Sequence, residues 1–241
     1  MTDFVRACIE ANEEIAKVIS DGFDDSWFEK TEVGAGGDVS SKLDLMAEAI
    51  FIKHLSVFGQ IESEESGKIG EGDTRIIIDP IDGSSNALSL FPFYGTSVAK
   101  VNADGILDAA IVCNLANNDI FFTTTKGGIQ QGKLFTTHFY APHVSPKSEI
   151  GLFEKAYANP ALVTALSEEK LKFRTPGAIA LSLAYARSVT YVLFVGQFRI
   201  YDFAAGLALC EGLEVIVEED YVIVSKEKAI AKKIEQLIEK L

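Results

Sequence analysis

The stretch Arg75-Ile-Ile-Ile-Asp79-Pro80-Ile81-Asp82-Gly83-Ser84-Ser85-Asn86 runs from an apolar segment directly into a polar turn. Residues 76–78 are β-branched and uninterrupted, which predicts a short strand that is buried on both faces. Pro80 has no N–H group to donate to a sheet, so we expect strand pairing to stop beside Asp79. The carboxylates of Asp79 and Asp82 are therefore predicted to lie at the end of a buried strand.

The turn after this strand has the chemistry of a metal-assisted phosphate site. Asp79 and Asp82 can point toward one place, where two negative charges a few ångströms apart repel each other unless a cation lies between them, and magnesium suits carboxylate ligands. Gly83 lets the backbone approach a ligand, and the N–H groups from Gly83 to Ser85 would point at an anion if they open a helix. The alternative is an ordinary turn in which both aspartates accept hydrogen bonds from nearby backbone N–H groups.

The composition is that of a globular, acidic protein. The chain has 241 residues, of which 48% are hydrophobic and 24% charged, enough for one large domain or two closely packed ones. Its formal net charge is −13, from 35 acidic and 22 basic residues, which argues against a nucleic-acid polymer or an anionic membrane as its partner. Clustered acids that hold divalent cations reverse the local field, so a small phosphate ester remains compatible with this charge.

The cysteines and the N-terminal residues predict a cytoplasmic protein. Cys8, Cys113 and Cys210 are few, odd in number and set in apolar stretches, so we interpret them as buried thiols in a reducing compartment. The first residues include acids where a signal peptide needs a basic region. No stretch reaches the roughly 18 uncharged apolar residues of a membrane span. We therefore expect a soluble cytoplasmic protein with no membrane partner.

Hydrophobic periodicity predicts helices and sheets that pack as layers of an α+β sandwich. Predicted helices cover residues 3–20, about 41–58, 160–170, 177–187 and 203–210, and the chain after 226. Predicted strands form an antiparallel meander over 96–101, 106–113 and 120–125, with later strands at 190–195, 213–217 and 221–224. Because the pattern changes near residue 145, we predict subdomains at 1–145 and 146–241. The first would carry most of the metal ligands, and the site would lie at the seam between them.

Other acids of the chain have ordinary structural interpretations when each is taken alone. Glu64 and Glu65 precede the central strand and are typical of a solvated charged loop. Asp44 follows Ser41 at the spacing of a helix capping box. Asp202 stands before an apolar helix and would serve as its N-cap. In each case the structural role is favoured over a chemical one.

Taken together and in this order, these segments resemble the inositol monophosphatase superfamily of magnesium-dependent, lithium-sensitive phosphatases. The matching segments are Gly36-Gly37-Asp38 with Asp44, Ser63-Glu64-Glu65-Ser66-Gly67, Asp79-Pro80-Ile81-Asp82-Gly83-Ser84 and Tyr201-Asp202-Phe-Ala-Ala-Gly206. The glycine-rich approach to Asp44 is most similar to the archaeal type that acts on both inositol monophosphate and fructose-1,6-bisphosphate. The resemblance spans nearly the whole chain and implies a layered α/β/α/β/α sandwich of the sugar phosphatase type and a homodimer.

The resemblance also implies a role for each matching residue. Two to three magnesium ions per site would be held by Glu64, Glu65, Asp79, the backbone carbonyl of Ile81, Asp82 and Asp202. Gly83, Ser84 and Ser85 would bind the phosphate, the first two through backbone N–H groups. The Ser84 hydroxyl and Asp44, with Glu64, would make up the catalytic residues that orient the attacking water. These roles describe a two-metal phosphatase that needs no covalent intermediate.

Departures from the family pattern concern the substrate more than the metals. Where inositol-selective members place an acid, this chain has Val195, so strict inositol specificity is not expected. Arg199 lies three residues before Asp202, and both are predicted to contact the substrate, with Arg199 binding a second phosphate. A surface ion pair is the ordinary alternative for Arg199.

We therefore predict a magnesium-dependent phosphomonoesterase acting on a small sugar or inositol phosphate, inositol-1-phosphate or fructose-1,6-bisphosphate or both. Two alternatives stay open: a 3′(2′),5′-bisphosphate nucleotidase, and a catalytically silent phosphate- or metal-binding regulator.

Overall fold

The computed structural model describes residues 1–22, 25–37 and 39–241, so Asp38 of the glycine-rich segment lies outside the described residues. The helices are α1 (Asp3–Ser20), α2 (Lys42–Leu55), α3 (Ser84–Leu88), α4 (Pro160–Glu168), α5 (Ile179–Ala184), α6 (Ile200–Ala208) and α7 (Lys228–Ile238). Short 3-10 helices cover Asp25–Phe28, Ser56–Phe58 and Ala156–Ala158. The strands are β1 (Lys30–Val33), β2 (Val39–Ser41), β3 (Gln60–Ser63), β4 (Gly67–Ile69), β5 (Arg75–Asp82), β6 (Gly95–Val101), β7 (Leu107–Asn114), β8 (Asp119–Thr124), β9 (Gln130–Lys133), β10 (Phe139–Tyr140), β11 (Gly151–Glu154), β12 (Phe173–Arg174), β13 (Tyr191–Val195), β14 (Glu214–Val217) and β15 (Tyr221–Ser225).

These strands form one hairpin and two larger sheets. The first large sheet has the order β10-β9-β8-β7-β6-β5-β3-β4, the second has the order β12-β11-β13-β15-β14, and β1 pairs with β2. The predicted meander is confirmed, because β6, β7 and β8 pair in antiparallel fashion. Strands β1 and β2, which the sequence did not predict, form a hairpin on either side of the glycine-rich segment.

Helices and sheets alternate in five layers, as predicted. Helices α1 and α2 share an apolar core with one face of the first sheet, and α5 and α6 cover its opposite face. The same pair of helices packs on the second sheet through Leu183 and Phe203. Helices α4 and α7 close the outer face of that sheet. The fold is therefore an α/β/α/β/α sandwich, in which α5 and α6 lie between the two sheets.

Strand β5 is the central structural feature of the first sheet. Ile76 and Ile78 belong to the core under α1 and α2, whereas Ile77 belongs to the core under α5 and α6. Each of these side chains is at most 2% exposed, which confirms the prediction of a strand buried on both faces. The prediction that pairing ends at Asp79 is wrong in part: Asp79 pairs with Ser97, and pairing resumes with Asp82 opposite Gly95 after an irregularity.

Several helices are shorter than predicted or shifted along the chain. The helix expected over 177–187 is α5 (Ile179–Ala184), and the one expected over 203–210 begins earlier, as α6 (Ile200–Ala208). The three cysteines are buried, as predicted. Within the described ranges, none of the helices has both the length and the apolar character needed to cross a membrane.

Candidate active site

Parallel pairing of β3 with β5 brings Glu64 next to Asp79. Ser63 lies opposite Ile78, and the Glu64 N–H donates to the Ile78 carbonyl over 3.1 Å. Carboxyl ends of parallel neighbours meet at the same edge of a sheet, so the residues that follow them are adjacent. The interpretation of Glu64 as part of a solvated loop is wrong, because Glu64 is only 8% exposed to solvent.

The irregularity in β5 places Asp82 at the same edge as Asp79. Asp82 Oδ2 accepts a hydrogen bond of 2.8 Å from the Leu181 N–H in α5, so this carboxylate is tied to the helix between the two sheets. Burial raises the pKa of Asp82 well above its ordinary value, the Leu181 bond opposes that rise, and nearby Asp202 adds to it.

The first turn of α6 supplies Asp202 from the opposite side. The prediction that Asp202 is an N-cap is wrong: Arg199 is the capping residue, and Asp202 lies inside the helix. Its carboxylate accepts hydrogen bonds from the Arg199 guanidinium, from Nε at 2.9 Å and from Nη2 at 3.2 Å.

Three acids converge at this point. Ligand oxygens of Glu64, Asp79 and Asp202 all lie within 4.8 Å of one another. Asp79 and Asp202 are each 3% exposed. The pKa of Asp79 is well above its ordinary value, first because the group is removed from water and then because Glu64, Asp82 and Asp202 repel its charge. Such a set of buried oxygen donors fits a hard divalent cation such as magnesium.

Asp44 combines the capping role with a place at the cavity. The Ser41 N–H donates to Asp44 Oδ2 at 2.8 Å and the Asp44 N–H donates to Ser41 Oγ at 3.3 Å, which confirms the capping box. Asp44 also lines the cavity that contains Asp79. Burial raises the pKa of Asp44, and its bonds with Ser41 partly oppose that rise. The two interpretations of Asp44 are therefore compatible.

Gly83 starts α3 in a left-handed conformation, with φ of 83°. A Cβ atom at this position would lie 2.9 Å from Ala178 Cβ and 3.2 Å from the Gly177 carbonyl oxygen, so glycine is required for conformation and for space. Ser84 and Ser85 follow as the first residues of α3. The expected helix opening at Gly83 to Ser85 is confirmed, and it faces the cavity.

The glycine-rich loop after β1 packs directly on Glu64 and Glu65. The N–H groups of Ala35 and Gly36 donate to the carbonyls of Glu65 and Glu64 at 2.8 and 2.7 Å. A Cβ on Gly36 would lie 2.5 Å from Glu64 Cγ, so a larger residue there would displace the Glu64 side chain. Glu65 accepts a hydrogen bond from the Ser40 hydroxyl.

One cavity of about 560 Å³ brings together the predicted site residues. It is lined by Asp44, Glu64, Glu65, Asp79, Ile81, Asp82, Gly83, Ser84, Ser85, Arg199 and Asp202. The lining also includes residues that sequence reasoning missed, namely Val39, Glu154, Lys155, Tyr157 and the segment 175–177.

The segments 154–157 and 175–177 form a second side of the cavity, and Glu154 fixes its position. Its carboxylate accepts hydrogen bonds from the Gly177 N–H at 2.9 Å and from the Ser182 hydroxyl. Burial raises the pKa of Glu154, while the bonds from Ser182 and Gly177 oppose the rise. The Asn86 amide donates to the Pro176 carbonyl at 2.6 Å and so links the same segment to α3. The sequence signal for Glu154 was a lone acid at the end of an apolar strand, the same signal as Asp79.

Comparison with known proteins identifies the family. The model of the inositol monophosphatase family matches residues 1–217. The fructose-1,6-bisphosphatase/inositol-1-monophosphatase of Archaeoglobus fulgidus is 29% identical over 161 residues, 63% of this chain and 58% of the relative. Nus factor SuhB of Xylella fastidiosa is 31% identical over 194 residues, 71% of this chain and 66% of that protein. The chain thus spans less than two thirds of both curated relatives.

A solved structure supports the fold. The crystal structure of the extragenic suppressor protein SuhB from Bartonella henselae superposes with a TM-score of 0.81 at 22% identity, covering 99% of each chain. At this identity the likeness concerns the fold alone. With the family model matching most of the sequence and the fold in agreement, this chain belongs to the inositol monophosphatase family.

Proposed function

We propose that this chain is a magnesium-dependent phosphomonoesterase of small phosphate esters. The observation that carries the proposal is the convergence of buried Glu64, Asp79 and Asp202 oxygens within 4.8 Å. Buried carboxylates this close repel one another unless a cation lies between them. Proteins keep such energetically costly clusters of charge mainly at functional sites. The family match to phosphatases supports hydrolysis as the reaction class.

The donor set fits magnesium because it consists of carboxylate oxygens and one backbone carbonyl. The residues that would hold the ions are Glu64, Glu65, Asp79, Ile81, Asp82 and Asp202, all of which line the cavity. When bound, magnesium would make a water more acidic and offset negative charge on the phosphate and its leaving group.

The protein's own groups would hold the phosphate and the attacking water. The N–H groups at the start of α3, from Gly83, Ser84 and Ser85, would donate to phosphate oxygens. The Ser84 hydroxyl and the Asp44 carboxylate would orient the water for in-line attack, with Glu64 as the third catalytic residue. The raised pKa of Asp44 makes its carboxylate a better proton acceptor.

The second side of the cavity would select the substrate. Its basic residues are Lys155 and Arg199, and both line the cavity. The family resemblance implies an acid in inositol-selective members where this chain has Val195, which ends β13. We therefore propose inositol-1-phosphate or fructose-1,6-bisphosphate or both as substrates, with a bisphosphate preferred, and a 3′(2′),5′-bisphosphate nucleotide as the alternative.

A phosphate-release panel tests this proposal. Inositol-1-phosphate, fructose-1,6-bisphosphate and 3′-phosphoadenosine 5′-phosphate are each incubated with the protein in chelator and then in millimolar magnesium. We expect release only with magnesium and fastest from a bisphosphate. Undiminished release in excess chelator would contradict metal dependence. Magnesium binding without release from any ester would favour a silent regulator.

Further parts of the proposal concern the whole protein. We propose a cytoplasmic homodimer inhibited by lithium, with no nucleic-acid polymer and no membrane as partner, and subdomains at 1–145 and 146–241. Light scattering on the purified protein measures the oligomeric state. Lithium titration of the phosphate-release assay measures inhibition.

A further inference from the structure

Arg199 lies between two of the proposed metal ligands. Its Nη1 is 2.7 Å from Glu64 Oε1. Its Nε and Nη2 donate to the two carboxylate oxygens of Asp202 at 2.9 and 3.2 Å. The guanidinium thus contacts Glu64 as well as Asp202. Two parallel contacts to the Asp202 carboxylate form the planar arginine–carboxylate pair that a guanidinium favours.

The pairing explains how the buried acids tolerate one another. The side chains of Glu64 and Asp202 are 10% and 5% exposed, and that of Arg199 is 28% exposed. Removing carboxylates from water is costly unless positive charge is close. Lys155 also lines the cavity, but its residue is exposed and its ammonium lies 5.4 Å from the Phe194 ring centroid. Arg199 therefore supplies positive charge in direct contact with the cluster.

Arg199 and magnesium need the same carboxylates. A guanidinium nitrogen at 2.7 Å from Glu64 Oε1 occupies one of the acceptor sites of that carboxylate. A divalent ion beside it would also repel the guanidinium, which does not lose its proton in proteins. A metal that binds Glu64 and Asp202 would therefore weaken the contacts of Arg199 with these carboxylates, through charge repulsion and through competition for their oxygens.

We propose that Arg199 is an internal counter-ion that competes with magnesium for Glu64 and Asp202, and that magnesium releases its guanidinium toward an anionic substrate. The inference rests on the proposed function for the identity of the metal. Because displacement costs free energy, the arginine weakens magnesium binding. A substrate anion that captures the released guanidinium recovers part of that cost, so magnesium and an anionic substrate bind cooperatively.

Isothermal titration of magnesium into chelator-stripped protein tests the competition. We expect Arg199→Gln to bind magnesium with a Kd about 10-fold lower than wild type, a change that corresponds to about 1.4 kcal/mol. Arg199→Lys keeps the charge and loses the planar fork, so its Kd should fall between the two. Arg75→Gln is the matched control, because Arg75 pairs with Glu62 at 3.2 Å outside the cavity. Its Kd should equal that of wild type.

Thermal unfolding supplies a second readout. In chelator, Arg199→Gln should melt below wild type because the acids lose their counter-ion, and in saturating magnesium the difference should shrink. A merely structural arginine would lower both melting temperatures equally. Unchanged or weaker magnesium binding in both Arg199 variants, or no magnesium binding by any protein, overturns the inference. Neither readout uses phosphate release, so a shifted Kd without hydrolysis would contradict the phosphatase proposal and leave the counter-ion role standing.

Discussion

The cavity has two walls of different construction. The first wall consists of Asp44, Glu64, Asp79, Asp82 and residues 83–85. Three of its carboxylates lie at or next to the ends of β3 and β5 in the first sheet, and that of Asp44 lies in the first turn of α2. The second wall consists of Glu154, Lys155, Tyr157, residues 175–177, Arg199 and Asp202. The first wall is mostly buried, whereas Tyr157 of the second is 81% exposed.

This difference separates the reaction from the choice of substrate. Strand ends such as Ser63 and Asp79 are fixed by main-chain pairing, which holds the acids of the first wall in register. Besides buried Glu154 and Asp202, the second wall carries exposed Lys155 and Tyr157, which suit contacts to the variable part of a substrate. Changes to the metal-binding acids, including Asp202 of the second wall, should therefore affect every substrate equally, whereas changes to exposed Lys155 should discriminate among substrates.

Removing the Ser84 hydroxyl should give a larger effect than the changes to Lys155 and to metal-free stability that follow. We expect Ser84→Ala to lower kcat on the order of 10²-fold, with a smaller effect on KM, because a water that is not oriented attacks less often. Ser84→Thr keeps the hydroxyl and should be tolerated. Ser89→Ala is the matched control, because Ser89 is an exposed serine at the other end of the same helix and does not line the cavity. If Ser84→Ala retains most of the wild-type kcat, Ser84 does not orient the attacking water and has only a structural role in the turn.

On the second wall, removing Lys155 should change substrate preference. Lys155→Ala should lower kcat/KM for a bisphosphate by up to about 5-fold, since an exposed ion pair contributes at most about 1 kcal/mol, and should leave a monophosphate nearly unaffected. Lys155 has a φ of 55°, and exposed Lys170, with a φ of 60°, is a control with the same backbone strain. Lys170→Ala should change neither substrate. Equal losses on both substrates by Lys155→Ala would remove the distinction between the walls.

The smallest effect concerns stability without metal. In chelator at neutral pH, Asp79→Asn should raise Tm by about 2–6 °C, given that about 1 kcal/mol shifts Tm by about 2–4 °C in a chain of this size. The physical reason is that the variant removes a buried carboxylate repelled by Glu64. Asp73→Asn, at an exposed position, should leave Tm unchanged.

The pH dependence checks the sign of this effect. The folded-state pKa of Asp79 is raised, so as pH rises above the ordinary carboxyl pKa of about 3.9, the unfolded chain releases its proton before the folded one. The metal-free wild type therefore loses stability relative to Asp79→Asn from that pH upward through the raised folded-state pKa. A difference in Tm that is constant from acidic to neutral pH would mean that Asp79 charge does not destabilise the metal-free fold.

Local patterns in the sequence were sufficient for the first wall apart from Glu64. Three β-branched residues, a proline and a Gly-Ser-Ser turn specify a buried strand that ends in acids, and the structure has this arrangement at β5 and α3. The capping box at Ser41 and Asp44 is likewise a short-range pattern. The layered fold followed from the periodicity of the elements and from the family resemblance.

Long-range pairing determined what the sequence did not show. Glu64 meets Asp79 because β3 and β5 are parallel neighbours, a pairing that the residues around Glu64 do not indicate and that only the family resemblance implied. Glu154 reaches the cavity from the second sheet, where it binds Gly177 across 23 residues of sequence. The position of Asp202 depends on where α6 begins. The apolar pattern of the helix predicted a start at residue 203, whereas α6 begins at Ile200. Such positions are set by packing between layers.

The most direct test of a metal-dependent phosphatase measures phosphate release against free magnesium for wild type and Asp79→Asn in parallel. Asp79 lies at the centre of the acid cluster, so its loss should remove the metal while leaving a folded protein. We predict a saturable magnesium response in wild type and a rate lower by at least about 10³-fold in the variant, given that each 1.36 kcal/mol of lost transition-state stabilisation is tenfold in rate. Equal rates for the two proteins, or a wild-type rate that does not respond to magnesium, would contradict the proposed mechanism.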